Sequence, residues 1–158
     1  MARSRILIVA GVLVIVIVAG AWYVFRPDTA SFDRVVDEPH PGRQATVRLS
    51  GTFSPRAHQG RGRAEVLELE GGRRVLRFSD FETLDGPDLY VYLVASPDVS
   101  DGDELEAGGY LSLGPLKGNI GPQNYEIPPG ADLAGYRGVA VWCYRFSVNF
   151  TAAALSAP

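Results

Sequence analysis

Cys143 is the only cysteine among 158 residues, and it sits in the run V-A-V-W-C-Y-R-F-S-V-N-F, residues 139–150. Read as a strand, this run sends alternate side chains to opposite faces. Ala140, Trp142, Tyr144, Phe146, Val148 and Phe150 make an apolar face with the character of core. Val139, Val141, Cys143, Arg145, Ser147 and Asn149 make a mixed one. Cys143 thereby stands one pleat from the guanidinium of Arg145. A nearby cation favours thiolate, the form that acts as nucleophile and metal ligand. The competing role is that of a small buried hydrophobe, which free cysteine often fills.

The other residues with chemical potential are fewer than they look. Two histidines occur, His40 and His58. A structural zinc site needs four ligands, and the soft donors here are too few for one, so no metal site is expected. Nothing marks a nucleophile elbow that would use His58 as a base. The sole methionine is Met1, which excludes His/Met haem ligation by the body of the chain and leaves Cys143 thiolate, alone or with His58. Asp98, Asp101, Asp103, Glu104 and Glu106 cluster without EF-hand spacing and read as a solvated loop. Leu113–Gly121 is glycine-spaced but lacks the P-loop order. It reads as a tight connection, with Lys117 at the surface or reaching over a neighbouring strand. In Gly86-Pro87-Asp88 a turn feeds a strand, and Asp88 suits a turn-stabilising role better than a catalytic one. The amides of Gln123 and Asn124 suit backbone groups at a strand edge. Asn149-Phe150-Thr151 is a glycosylation triplet that falls inside a strand.

These residues must be positioned by a body that begins well after the N-terminus. Ile6–Phe25 carries no charge over a length matching a bilayer core of ~30 Å. Arg3 and Arg5 precede it, so the positive-inside rule holds the N-terminus in the cytoplasm and exports the remainder of the chain. Trp22 and Tyr23 fall where an interfacial aromatic belt would lie. Ala19-Gly20-Ala21 could serve as a signal-peptidase site, but the apolar run continues past it. Residues 1–25 therefore read as a membrane anchor, and either reading places the body of the chain outside the cytoplasm. Without Arg3 and Arg5 the chain keeps 13 basic against 18 acidic residues. That balance speaks against a nucleic-acid partner.

Residues 26–45 read as a linker, Pro- and Asp-containing and without apolar period. From residue 46 to 158 the pattern is all-β. Strands are expected over Thr46–Phe53, Ala64–Glu70, Arg73–Ser79, Asp88–Ala95, Tyr110–Pro115, Gln123–Ile127 and the Cys143 run, itself one strand or two in series. No amphipathic helical repeat is visible. Gly71-Gly72 predicts a two-residue hairpin that sets Glu70 against Arg73 and Leu67 against Leu76. Many short strands imply an antiparallel β-sandwich or barrel.

Several motifs occur in order: Gly51-x-Phe53, His58, Gly60 and Phe81; Gly86-Pro87-Asp88-Leu89-Tyr90-Val91-Tyr92-Leu93; Leu113-Gly114-x-Leu116-Lys117-Gly118; Gln123–Pro128; Val141-Trp142-Cys143; and Phe146-Ser147-Val148-x-Phe150. Over roughly Ser50–Leu155 the chain resembles the DM-thirteen domain. That extracellular β module occurs in Skeletor-like animal proteins, often beside DOMON domains, and in bacterial membrane-anchored proteins. The resemblance implies a redox or electron-transfer role, with Cys143 as a free thiol or as ligand to a prosthetic group such as haem. It also implies a separate redox partner protein, and an electron-transfer or accessory module rather than a stand-alone enzyme. From the residues themselves come Arg145 as stabiliser of the thiolate and His58 as a second cofactor-binding candidate. The alternative is a non-catalytic cell-surface binding or adhesion module in which Cys143 only packs.

Overall fold

The computed structural model describes residues 11–20, 33–42 and 44–158. Residues 11–20 form a helix, α1, in a unit separate from the one that begins at Asp33. Ten residues at ~1.5 Å each reach about half-way across a bilayer core. Among the described residues no helix is long and apolar enough to cross a membrane. The rest of the expected 6–25 span, including Trp22 and Tyr23, lies outside the described residues.

The second unit holds β1 (Thr46–Pro55), β2 (Gly60–Glu68), β3 (Arg74–Thr83), β4 (Leu89–Val94), α2 (Gly102–Gly108), β5 (Tyr110–Pro115), β6 (Gln123–Ile127), β7 (Gly138–Cys143) and β8 (Val148–Ala154). The strands form one sheet in the order β5-β4-β7-β8-β1-β2-β3-β6, and every neighbouring pair is antiparallel. The sheet curls until β5 and β6 approach each other, and residues 116–122 close the gap. There the Leu116 N–H donates to the Leu89 carbonyl at 2.8 Å, and the Lys117 N–H donates to the Tyr125 hydroxyl at 3.1 Å. Bridging β5 to β6 leaves little open edge for another chain to pair with. The all-β expectation holds, in its barrel-like form.

Inward-facing residues alternate along most strands, with a break between Phe78 and Phe81 in β3 and between Phe150 and Ala153 in β8. Phe53, Phe78, Phe81 and Tyr125 fill one half of the interior, and Leu89, Val91, Leu93, Val139 and Val141 fill the other. Phe53 meets Phe78 edge-on with ring centroids 4.8 Å apart, the arrangement that ring quadrupoles favour.

The Cys143 run is two strands joined by a turn. β7 ends at Cys143 and β8 begins at Val148, with Tyr144 and Phe146 exposed at 67% and 64% in the turn between them. The two faces are the reverse of the sequence expectation. Cys143, Val141 and Val139 stand opposite Leu89, Val91 and Leu93 of β4, and opposed residues share a face, so the cysteine side is the inner one. Trp142 and Ala140 face outward and are covered by Leu105 of α2, Val99 and Tyr92. The turn also breaks the alternation, so Phe150 points into the main core while Trp142 does not.

The hairpin after β2 is longer than expected by one residue. Residues 70–72 form the loop, closed by the Leu69 N–H donating to the Arg73 carbonyl at 2.8 Å, with Gly71 and Gly72 both at φ 78°. Pairing becomes Val66 with Leu76 and Leu67 with Val75. A one-residue slide exchanges faces. It sends Val66 and Leu76 into the core and gathers Leu67, Leu69 and Val75 in a separate outer cluster with Val47.

Part of the acidic loop is a helix. The Asp101 carboxylate accepts from the Glu104 N–H at 2.9 Å, and the Glu104 carboxylate accepts from the Ser100 N–H at 2.9 Å. Asp101 is thus the N-cap, and Glu104 ties down Ser100, the residue before the cap. The Asp-x-x-Glu signature stands in the sequence, but α2 has seven residues and one buried side chain, Leu105, too few to show a helical period.

Residues 33–42 are not a free spacer, contrary to the linker expectation; residues 26–32 lie outside the described residues. Val35 bridges Ile120 in parallel, the Val36 N–H donates to the Ile120 carbonyl and the Glu38 N–H to the Pro122 carbonyl, each at 2.9 Å. The Glu38 carboxylate accepts from Lys117 Nζ at 2.7 Å and from the Asn124 N–H at 2.7 Å. Burial raises the Glu38 pKa, but the hydrogen bonds from Lys117 and Asn124 and the charge of Lys117 outweigh it and hold the carboxyl below its usual range. A lowered folded-state pKa means a contribution that is complete above the unfolded-state value and lost as pH falls through the folded one. The strap should therefore loosen in acid. Hydrogen exchange at the Val36 and Glu38 amides, corrected for intrinsic rates, should lose protection as pH drops below the ordinary glutamate range, and Glu38→Gln should weaken it already at neutral pH.

Candidate functional site

One end of the barrel gathers the connections that surround Cys143. The β1–β2 turn at residues 56–59, the β3–β4 loop at 84–88 and the β7–β8 turn at 144–147 meet there because Gly60 pairs with Thr83 and Leu89 with Cys143. Cys143 is 0% exposed, and its Sγ–H donates to the Pro87 carbonyl at 3.1 Å. That contact belongs to the protonated thiol, since a thiolate has no hydrogen to donate.

The loop above the thiol is pinned on both sides. The Tyr144 N–H donates to the Asp88 carbonyl at 3.0 Å, and Arg145 Nε donates to the Asp88 carboxylate at 2.9 Å. Asp88 adopts φ 56°, a left-handed conformation that aspartate tolerates better than most residues. Gly86 lies against the Phe150 ring, so a Cβ there would stand 2.7 Å from Phe150 Cζ. The Gly-Pro-Asp motif thus supplies in sequence a close approach, the carbonyl acceptor of the thiol and the partner of Arg145.

The predicted site residues are brought to the same end, but not into one cluster. Arg145 pairs with Asp88 in an exposed ion pair. His58 packs its ring against Phe150 with centroids 4.0 Å apart, and Phe150 belongs to the core cluster that contains Cys143. The His58 N–H donates to the Phe150 carbonyl at 3.0 Å. Pro87, Phe150 and Gly86 escape a reading from sequence as site residues, because a backbone carbonyl and a packing ring carry no chemical mark there. Asn149, of the glycosylation triplet, is 2% exposed and donates to the Pro97 and Val99 carbonyls, so it presents no accessible acceptor.

A second polar cluster closes the gap between β5 and β6. Gln123 is 0% exposed; its Nε2 donates to the Gly118 carbonyl at 2.8 Å, and its Oε1 accepts from the Tyr125 hydroxyl at 2.6 Å. Lys117 Nζ lies 5.2 Å from the centre of the Tyr125 ring, a cation–π distance. Every polar group here has a partner, which is the condition for burying them. Its role is structural closure.

The family model described as Electron transfer DM13 matches residues 52–155, nearly all of the barrel. The chain belongs to the DM13 family. No curated protein matches the chain, and no solved structure matches it. The match covers the β strands and the Cys143 end of this DM13 domain alike, and excludes α1 and the strap.

A haem does not fit the Cys143 end of the DM13 barrel as it stands. Sγ has no exposed surface and is already engaged by the Pro87 carbonyl. Cys143 lines none of three clefts formed by described residues. One of about 150 Å³, lined by Gln59, Gly60, Arg61, Glu82, Thr83 and Leu84, opens at the same end; pockets for drug-sized ligands are ~300–1,000 Å³. The other two flank the β2–β3 loop, remote from Cys143. An axial ligand pair of Cys143 and His58 would require Phe150 and the 84–88 loop to leave their places.

Proposed function

We propose that this DM13 domain is a membrane-anchored, extracytoplasmic electron-transfer module whose redox group is the Cys143 thiol. Residues 1–25 would tether it with the N-terminus in the cytoplasm, and a separate redox protein would deliver or remove the electron. The observation that carries the reading is the setting of the only thiol. It lies at the interior end of β7, bonded to the carbonyl of a loop that is held by the Tyr144 N–H on the Asp88 carbonyl and by two ion pairs, Arg145–Asp88 and Arg34–Asp85.

The chemistry is dictated by that setting. The Pro87 carbonyl accepts the hydrogen of the thiol, and burial keeps Sγ from solvent and reagents. Oxidation requires the proton to leave, and so requires the 84–88 loop to lift. Opening the loop parts Asp88 from Arg145 and frees a guanidinium two residues along the chain from the thiol, a cation that would favour thiolate if it turned toward Sγ. Arg145 acts first as half of the latch and then as the stabilising cation. His58, stacked on Phe150 at the same end of the barrel, would take the proton once the loop is open.

One observation favours the second reading, a non-catalytic surface module: complete burial is also what a packing cysteine shows. The two separate on the purified full chain. Under the redox reading, maleimide labels Cys143 slowly in the folded wild type and severalfold faster in Asp88→Asn, and an electrode wave present in the wild type is lost in Cys143→Ser. Labelling that needs denaturant in both proteins, with a wave unchanged in Cys143→Ser, would sink the role of the thiol. Absence of any wave in the wild type would sink electron transfer itself.

A further inference from the structure

Four of the chain's seven tyrosines form a continuous row on the outside of the barrel. Tyr144 in the β7–β8 turn faces Tyr90 with ring centroids 6.2 Å apart. Tyr90 is 6.1 Å from Tyr92, and Tyr92 is 4.7 Å from Tyr110. The row arises from strand geometry. Residues two apart on β4 share its outer face, β5 adds Tyr110 beside Val94, and the bond from the Tyr144 N–H to the Asp88 carbonyl fixes the turn. The row runs from an exposed ring at the Cys143 end to Tyr110, whose hydroxyl donates to the Glu106 carboxylate at 3.3 Å.

Packing accounts for the rings but not for the hydroxyls. Phenylalanine would cover Trp142 and Ala140 as well, and would avoid placing phenols around a ring as enclosed as Tyr92, 4% exposed. Burial, then the neighbouring phenols, push the Tyr92 pKa up to about 12. Burial and Glu106 raise that of Tyr110 as well. At neutral pH the Tyr92 and Tyr110 phenols keep their protons, so a lasting neutral radical forms only where a phenol can hand its proton to an acceptor. Only Tyr110 in the row has a carboxylate bonded to its hydroxyl.

We propose that the row is a hole-hopping path, from Tyr144 through Tyr90 and Tyr92 to Tyr110, with Glu106 as the proton acceptor at its end. The proposal rests on the electron-transfer reading but not on Cys143. The oxidant is a high-potential one-electron metal centre of a partner, meeting the exposed Tyr144. It takes one electron and its metal falls by one oxidation state. The vacancy passes ring to ring as each phenol supplies an electron to the one before it; Tyr144, Tyr90 and Tyr92 keep their protons throughout, each a short-lived radical cation that is reduced back to the phenol by the next ring. At Tyr110 the O–H bond breaks, the proton forms an O–H bond on the Glu106 carboxylate, and a neutral tyrosyl radical remains. A one-electron donor at that end returns the electron, and the proton goes back to the phenol oxygen.

The test uses the purified full chain carrying a photo-oxidisable ruthenium complex on Phe146→Cys, in the exposed turn beside Tyr144, attached in a brief reaction that the slower, buried Cys143 does not enter. Flash oxidation to ruthenium(III) should give a long-lived neutral tyrosyl radical, because a vacancy on distant Tyr110 recombines slowly. In Tyr90→Phe and in Tyr92→Phe the vacancy is stopped short and its lifetime should fall severalfold. In Tyr110→Phe the long-lived radical should be lost, and in Glu106→Gln its yield should fall severalfold while Tyr144 oxidises at the same rate. These variants keep their rings, and unchanged thermal melts show that the fold survives. Equal lifetimes and yields in all five proteins would overturn the proposal, as would a radical that never leaves Tyr144. An electrode wave in the wild type alongside either result leaves the electron-transfer reading standing and removes only the path.

Discussion

Trp142→Ala is expected to lower the unfolding free energy by about 3–5 kcal/mol, the range for removing a large buried aromatic side chain. Trp142 is 2% exposed although it projects from the outer surface of the barrel. Its burial is supplied by the 95–109 excursion, which places Val99 and Leu105 over it, with Tyr92 and Ala140 alongside. Alanine would leave a cavity between sheet and helix, and α2 is too short to collapse into it while capped at Asp101. Chemical denaturation of the full chain measures the loss, and Trp142→Phe should recover much of it. A loss below about 1 kcal/mol, the size of an ordinary surface substitution, would mean that the excursion does not pack as described.

Gly121→Ala should detach the N-terminal strap and lower stability by on the order of 3 kcal/mol, combining backbone strain and lost hydrogen bonds. Gly121 has φ 100°, and a Cβ there would collide with the Val36 carbonyl oxygen, a backbone atom that cannot rotate away. Relief comes only if the strap lifts, breaking the bonds from the Val36 and Glu38 amides to the Ile120 and Pro122 carbonyls. The Glu38 carboxylate would then leave Lys117 and the Asn124 N–H as well. Hydrogen exchange should show residues 33–38 unprotected while the amides of β7 and β8 stay protected. An alanine variant with wild-type stability and a protected strap would refute the close approach.

Both results bear on what can be read from sequence. Parity along the strand assigns Trp142 to core, and core it is, but of a satellite cluster outside the sheet. Parity counts residues and has no way to say which side of a sheet is enclosed. In β7 the cysteine side wins because its partners Leu89, Val91 and Leu93 line the main core. The strap reads as linker because residues 33–42 carry no apolar period, yet a single strand held at one edge needs only backbone donors, acceptors and glycines that let it approach. Those glycines, Gly118 and Gly121, lie more than eighty residues beyond Val35 and Val36. The glycine-spaced loop is legible as a tight connection; the segment it fits closely against is not.

The sequence alone determined the all-β class, the places of β1 to β6, the presence of strand in the Cys143 run though not its division in two, the glycines of the β2–β3 loop, the family and the singularity of Cys143. Each rests on local alternation, on turn chemistry or on a motif order written in neighbouring residues. Only the tertiary structure decided the one-residue register of the β2–β3 hairpin, the inner face of β7, the pairing of Arg145 with Asp88 and the stacking of His58 on Phe150. It alone assembled the tyrosine row from a turn and two strands. Those outcomes depend on which strand lies beside which, and that is set by burial summed over the whole barrel rather than by any stretch of chain taken singly.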